Sequence, residues 1–147
     1  MTLLDVRRSA SLAGKTVVIC EDEGVTVLHL LKALSAAGMA VVGCAVNGAE
    51  AVKVALERRP DVILMDINMP EMDGIEAARR ILDVYRPCIV MLTAYAEEKY
   101  LDRALSAGVS GYIVKPVYGA ELLDLIGNAL SNSITAQAAV HAASASR

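Results

Sequence analysis

Four places in this sequence carry side chains suited to chemistry, and they lie far apart along the chain. Glu21-Asp22-Glu23 is a run of three carboxylates, and Asp66 opens the stretch Asp66-Ile-Asn-Met-Pro70. Thr93 precedes the small Ala94, and Lys115 precedes Pro116. Carboxylates gathered within a few ångströms repel one another, and their pKa values rise unless positive charge is supplied. A hard divalent cation with oxygen ligands answers that repulsion. Mg²⁺ typically takes one or two carboxylates, keeps several waters and fills other positions with phosphate oxygens. Lys115 would add a point positive charge and Thr93 a neutral hydrogen-bond donor. Carboxylate, divalent cation, amine and hydroxyl together suit phosphoryl transfer to a carboxylate, which is mostly positioning and charge neutralisation.

Such a set works only if the fold gathers it. Lys15–Cys20 is continuous, apolar and β-branched, which predicts a strand ended by the acidic run. Val27, Leu30, Leu31 and Leu34 then recur at helical spacing, with Asp22 and Glu23 at the favoured negative end and Gly38 as a stop. Ala40–Ala45 predicts a second strand, Asn47-Gly48 a turn, and Glu50–Arg58 a helix halted before Pro60. Asp61–Met65 is apolar at every position after the first, as in a strand buried on both faces. A long loop through Asp73-Gly74 follows, then a helix over Ile75–Tyr85, a strand over Cys88–Leu92 and a helix over Glu97–Ala107. Gly111–Lys115 predicts the fifth strand, and Leu122, Leu125, Ile126 and Ala129 mark a last helix. Five strands alternating with five helices predict an α/β fold, (βα)5, with a doubly wound five-stranded parallel sheet. Ligands bind such sheets beyond the carboxyl ends of the strands. The acidic run, Asp66, Thr93 and Lys115 each follow or close a strand, whereas the second strand ends in Asn47-Gly48 with no ionisable group.

Composition agrees with one domain. The chain has 147 residues, of which 55% are hydrophobic, 21% charged and only 3% aromatic, with no Phe or Trp. The core is therefore expected to be aliphatic. A mean hydropathy of +0.46 is too apolar for disorder, and the charge too high for a membrane bundle. A net charge of −3 lacks the footprint of a non-specific nucleic-acid binder. Cys20, Cys44 and Cys88 stand in apolar surroundings without a CxxC, so three buried reduced thiols in a cytosolic protein are expected. The N-terminus has no signal-peptide pattern, and the uncharged stretch from Ala33 to Ala49 is too short and too broken for a membrane span. Residues 1–14 are expected as an N-terminal extension, 15–131 as the domain, and 132–147 as an Ala/Ser-rich tail.

Glu21-Asp22-Glu23 after Val-Val-Ile, Asp66-Ile-Asn-Met-Pro-Glu-Met-Asp-Gly74, Leu92-Thr93-Ala94 and Gly111-Tyr-Ile-Val-Lys-Pro116 resemble the receiver domain of bacterial two-component response regulators. The likeness runs over about residues 15 to 130 and keeps the order and spacing of the motifs. It implies a flavodoxin-like sheet and a phosphorelay role. Asp66 would be the phosphoacceptor, taking its phosphoryl group from a histidine kinase. Glu21, Asp22, Asp66 and the backbone carbonyl of Asn68 would hold Mg²⁺. The family commonly has Asp at the first of these positions, and the extra methylene of Glu21 changes its reach; Asp22 is the expected direct ligand. Thr93 would contact the phosphoryl group and Lys115 would pair with carboxylate and then phosphoryl. Thr93 and Tyr112 would form the switch, and the Lys115–Pro116 peptide would be cis. The implied partners are a sensor histidine kinase or phosphotransfer protein and a downstream protein. Either that protein or a second copy would bind through the fourth helix, fifth strand and fifth helix, near Tyr100, Leu101, Leu105, Tyr112 and Tyr118.

Other residues read as structural. His29 falls off the apolar stripe and His141 lies in the tail, so neither is a phosphohistidine donor. Asp73 and Gly74 suit a turn. Arg7-Arg8, Arg58-Arg59 and Arg79-Arg80 are too short for a nucleic-acid patch. Tyr95 stands where it would screen a phosphoryl group. Two alternatives compete with a stand-alone cytoplasmic relay. The first is the receiver portion of a longer regulator with an RNA-binding antiterminator or other output domain. The second is an aspartyl-phosphate phosphatase of haloacid dehalogenase type, an enzyme. That chemistry wants a second acid two residues after the nucleophile, where this chain has Asn68.

Overall fold

The computed structural model describes residues 12–94 and 98–131. Residues before Leu12, Tyr95, Glu97, His141 and the Ala/Ser tail lie outside the described residues. The chain runs β1 (Thr16–Cys20), α1 (Gly24–Ala36), β2 (Ala40–Ala45), α2 (Gly48–Arg58), β3 (Val62–Asp66), α3 (Gly74–Leu82), β4 (Cys88–Thr93), α4 (Glu98–Ala107), β5 (Gly111–Val114) and α5 (residues 119–131). All five strands are parallel, in the order β2-β1-β3-β4-β5. This is the doubly wound α/β sheet that the alternation predicts.

Each face of the sheet has its own aliphatic layer, because alternate strand residues point to opposite sides. Val18, Cys20, Ile63, Met65, Ile89 and Met91 pack with residues of α2, α3 and α4. Val17, Ile19, Val62, Leu64, Val90 and Ile113 pack with α1 and α5. Leu12, upstream of β1, is fully buried in that second layer. With no Phe or Trp available, the flexible Met65 and Met91 and small helix residues such as Ala51, Ala55 and Ala78 let helices and sheet approach closely.

Several local readings need correction. Asn47 is not half of a turn but the N-cap of α2: its side chain accepts a hydrogen bond from Glu50 N at 2.8 Å, and the helix starts at Gly48. The third helix stops at Leu82, short of Tyr85. There Tyr85 donates its hydroxyl to the Pro60 carbonyl at 3.2 Å, and the Arg59 guanidinium lies 5.1 Å from the ring centre. Pro87 also biases Arg86 away from helix. Cys20 and Cys88 are buried as expected, but Cys44 is exposed: it lies on the edge strand β2, paired with Ile19 on the face that carries α1 and α5. Gly38 does stop α1, with φ +81°.

Candidate functional site

Strand register brings the separated residues together. Cys20 pairs with Met65, so Glu21 follows β1 beside Asp66, the last residue of β3. Asp66 pairs with Leu92, one residue before Thr93. Thr93 pairs with Val114, one residue before Lys115. The site thus sits over the carboxyl ends of β1, β3, β4 and β5. It includes the point where the chain switches from the β2 side of β1 to the β3 side, the crevice where such sheets bind ligands.

Lys115 is the hub. Its Nζ donates to Asp66 Oδ2 at 3.0 Å and to Glu21 Oε1. Its own backbone N–H donates to the Thr93 carbonyl at 2.7 Å, which ties the ends of β4 and β5 together. Asp66 is 6% exposed, and its second oxygen, Oδ1, accepts the backbone N–H of Asn68 at 2.9 Å. This Asx turn holds the carboxylate from both ends. The Glu21 side chain is fully buried, and its Oε2 has no hydrogen-bond partner. Asp22 is exposed at the rim, and Thr93 is buried.

Electrostatics follow from this packing. Burial pushes the Glu21 carboxyl up to about 7, Asp66 beside it adds to the rise, and Lys115 pulls the other way. Burial pulls the Lys115 ammonium down, but Glu21 and Asp66 more than offset it and hold the amine above its ordinary range. Glu21, Asp22 and Asp66 each offer an oxygen within 4.8 Å of the others, a cluster found among the described residues. Three carboxylates against one ammonium leave two negative charges in excess when all are ionised. That excess and the orphaned Glu21 Oε2 fit a hard divalent cation with oxygen ligands.

The loop after Asp66 is held by close backbone contact. A Cβ on Gly74 would lie 2.2 Å from the Asp66 carbonyl oxygen, and one on Gly48 would lie 2.0 Å from the Met72 carbonyl oxygen. Gly74 is therefore required by space rather than by the backbone freedom that its turn-like sequence suggests. Asp73 caps α3, accepting from Glu76 N at 2.9 Å, and its other oxygen lies 4.0 Å from Arg103 of α4. The Glu21–Lys115 contact and the Gly48 approach are not visible as sequence motifs. The Asx turn has a signal in Asp66 itself, a residue type whose side chain accepts from the backbone N–H two residues on. Tyr112 is 38% exposed on β5, outside the polar cluster. The Lys115–Pro116 peptide is cis.

The sequence profile of the response regulator receiver domain matches residues 17–127. The chain belongs to that family. Within it, the chain is 38% identical over 117 residues to the transcriptional regulatory protein PdtaR of Mycobacterium tuberculosis, covering 80% of this chain and 57% of PdtaR. It therefore spans little more than half of that relative. It is 34% identical over 114 residues to the chemotaxis protein CheY of Thermotoga maritima, covering 77% of this chain and 95% of CheY. Among solved structures it is similar to the CheX-CheY-BeF3-Mg complex from Borrelia burgdorferi, with a TM-score of 0.77 and 27% identity over 80% of this chain and 90% of that chain. Receiver domains are signalling domains of two-component systems, and where their relatives are enzymes the activity lies in other domains. No helix among the described residues is long and apolar enough to cross a membrane.

Proposed function

We propose that this receiver accepts a phosphoryl group on Asp66 from the phosphohistidine of a sensor histidine kinase or phosphotransfer protein. The observation that carries the reading is Lys115 Nζ bridging Asp66 and Glu21 beside an orphaned carboxylate oxygen. An Asp66 oxygen attacks phosphorus, the new O–P bond forms as the P–N bond breaks, and the electron pair leaves on the donor nitrogen. Lys115 then exchanges a carboxylate partner for a phosphoryl oxygen, and the Thr93 hydroxyl donates to another. Glu21, Asp22, Asp66 and the Asn68 carbonyl would hold Mg²⁺, whose chemistry is to neutralise the phosphoryl oxygens. The BeF3 and Mg in the Borrelia CheY complex support that assignment by similarity.

The output follows from the new charge. Thr93 and Tyr112 shift together, and the α4-β5-α5 face changes between two packings. Leu105, Tyr112, Val114 and Tyr118 are exposed there and offer apolar area to a downstream protein or to a second copy of the chain. The cell interior, where histidine kinases present their phosphoryl groups, is the matching compartment. A longer regulator is a second reading, favoured by the 57% of PdtaR that the chain covers.

Intact mass after incubation with acetyl phosphate and Mg²⁺ tests the proposal. Wild type should gain about 80 Da, one phosphoryl group, and Asp66→Asn should gain nothing. Equal labelling of both proteins would overturn it. Rapid turnover of external phosphomonoesters would favour the phosphatase instead.

A further inference from the structure

A cavity of about 400 Å³ opens beside Lys115, bounded by Ala94 and the Pro116-Val117 stretch on one side and by Glu23, Val25, Thr26 and His29 of the α1 start on the other. Lys115 lines this cavity and also touches Asp66 Oδ2 at 3.0 Å. A donor whose phosphoryl group meets Asp66 therefore has this space at hand for the rest of the molecule. We propose that the cavity receives the leaving group of the phosphoryl donor and that Glu23 selects donors by its charge. Donors that release a neutral nitrogen base are favoured over donors that release a carboxylate. The inference rests on Asp66 being the acceptor.

Size does not select here. The volume lies within the range of roughly 300–1,000 Å³ typical of small-molecule pockets, ample for an acetyl group or an imidazole ring. Charge does. Glu23 brings a carboxylate to the lining, and Thr26 Oγ1 donates to its Oε1 at 3.1 Å, which holds it over the first turn of α1. Lys115 does not cancel that charge, because its ammonium is already shared by Glu21 and Asp66.

The two donor classes differ in what they leave behind. With a P–N donor, the Asp66 oxygen bonds phosphorus, the P–N bond breaks, and its electron pair stays on nitrogen; the donor already carries the proton, on the ammonium of phosphoramidate or on the other ring nitrogen of a phosphoimidazole, so neutral ammonia or imidazole departs. With an acyl phosphate, the P–O bond breaks and its pair stays on oxygen, so a full negative charge develops beside Glu23. A like charge near the reacting centre raises that barrier alone.

The test compares initial rates of mass gain with phosphoramidate and with acetyl phosphate, in Mg²⁺ buffer, for wild type, Glu23→Gln and Glu23→Lys. The Glu23 side chain makes no capping hydrogen bond to the backbone of α1, so both variants should fold, and circular dichroism checks that they do. The acetyl phosphate rate should rise about fivefold in Glu23→Gln and further in Glu23→Lys, while the phosphoramidate rate stays within about twofold. Added salt should shrink the difference. Equal changes with both donors, or no change with either, would overturn the inference while leaving Asp66 as the acceptor. Failure of wild type to be modified by either donor would remove the acceptor reading and this one with it.

Discussion

Glu21 shows how one residue's burial sets a property of the whole site. Its carboxyl is pushed up to about 7, first by burial and then by Asp66, from an ordinary value of 4.5. With divalent cations removed by chelator, the native chain keeps a proton on Glu21 that the unfolded chain releases above about pH 4.5. Stability from this group is therefore present below that pH and lost as pH rises through about 7. Denaturant midpoints in chelator should fall across that window for wild type, and Glu21→Gln should lose this part of the slope. Added Mg²⁺ should restore stability at neutral pH by supplying the missing positive charge. Thiols give a second test at the same scale. Burial pushes Cys20 up to about 12 and raises Cys88, whereas Cys44 is exposed. The thiolate is the reactive form, so iodoacetamide at neutral pH should label Cys44 alone and reach all three only after unfolding. The acid pair, Asp66, Thr93 and Lys115 are legible in the sequence because each closes or follows a recognisable strand. The exposure of Cys44 is not, since an apolar flank looks the same in a central strand and at an edge.

Elements position the site through their ends. The β3–α3 loop is pressed between the Asp66 carbonyl and the start of α2, which is why Gly74 and Gly48 have no room for a side chain. Gly74→Ala should destabilise the chain by about 1–3 kcal/mol, the usual cost of overpacking, and displace the Asp66 backbone. Gly24 is the contrast: nothing lies within 4 Å of a Cβ built there, at the start of α1. Gly24→Ala should be neutral or stabilise by up to about 1 kcal/mol. Thermal melts of the two variants check both signs. Asn47→Ala should cost about 1 kcal/mol through loss of the α2 cap. Helix and strand identities are legible from periodicity, because apolar spacing of 3.6 or 2 survives in a single sequence. Several element ends are not. α3 stops where Tyr85 finds the Pro60 carbonyl, a partner from a distant part of the chain.

At the scale of the molecule, the sheet is a plate between two aliphatic layers. Ile63 and Leu64 are neighbours in β3, fully buried, and belong to opposite layers. Ile63→Ala and Leu64→Ala should each cost about 2–5 kcal/mol, and each should unfold in one cooperative transition, because both layers share the same central strand. Two separate denaturant transitions would contradict that coupling. Asp66 closes β3, and β4 and β5 follow β3 in the sheet order, so the proposed phosphoryl site lies on the side of the sheet that ends in β5.

The (βα)5 order, the parallel sheet, the family and the residues of the acidic cluster are properties of the sequence alone. The first two follow from local periodicity, the cluster from which residue closes or follows each strand, and the family from motifs whose order and spacing resemble those of the receiver domain; none of these needs a contact between distant parts of the chain. Tertiary structure decides the rest. It gives Lys115 two carboxylates at once and strands one oxygen of Glu21 without a partner. It places Glu23 on the wall of a cavity and leaves Cys44 on an open edge. Each of these depends on strand order and register, and those set distances between residues that the sequence leaves far apart.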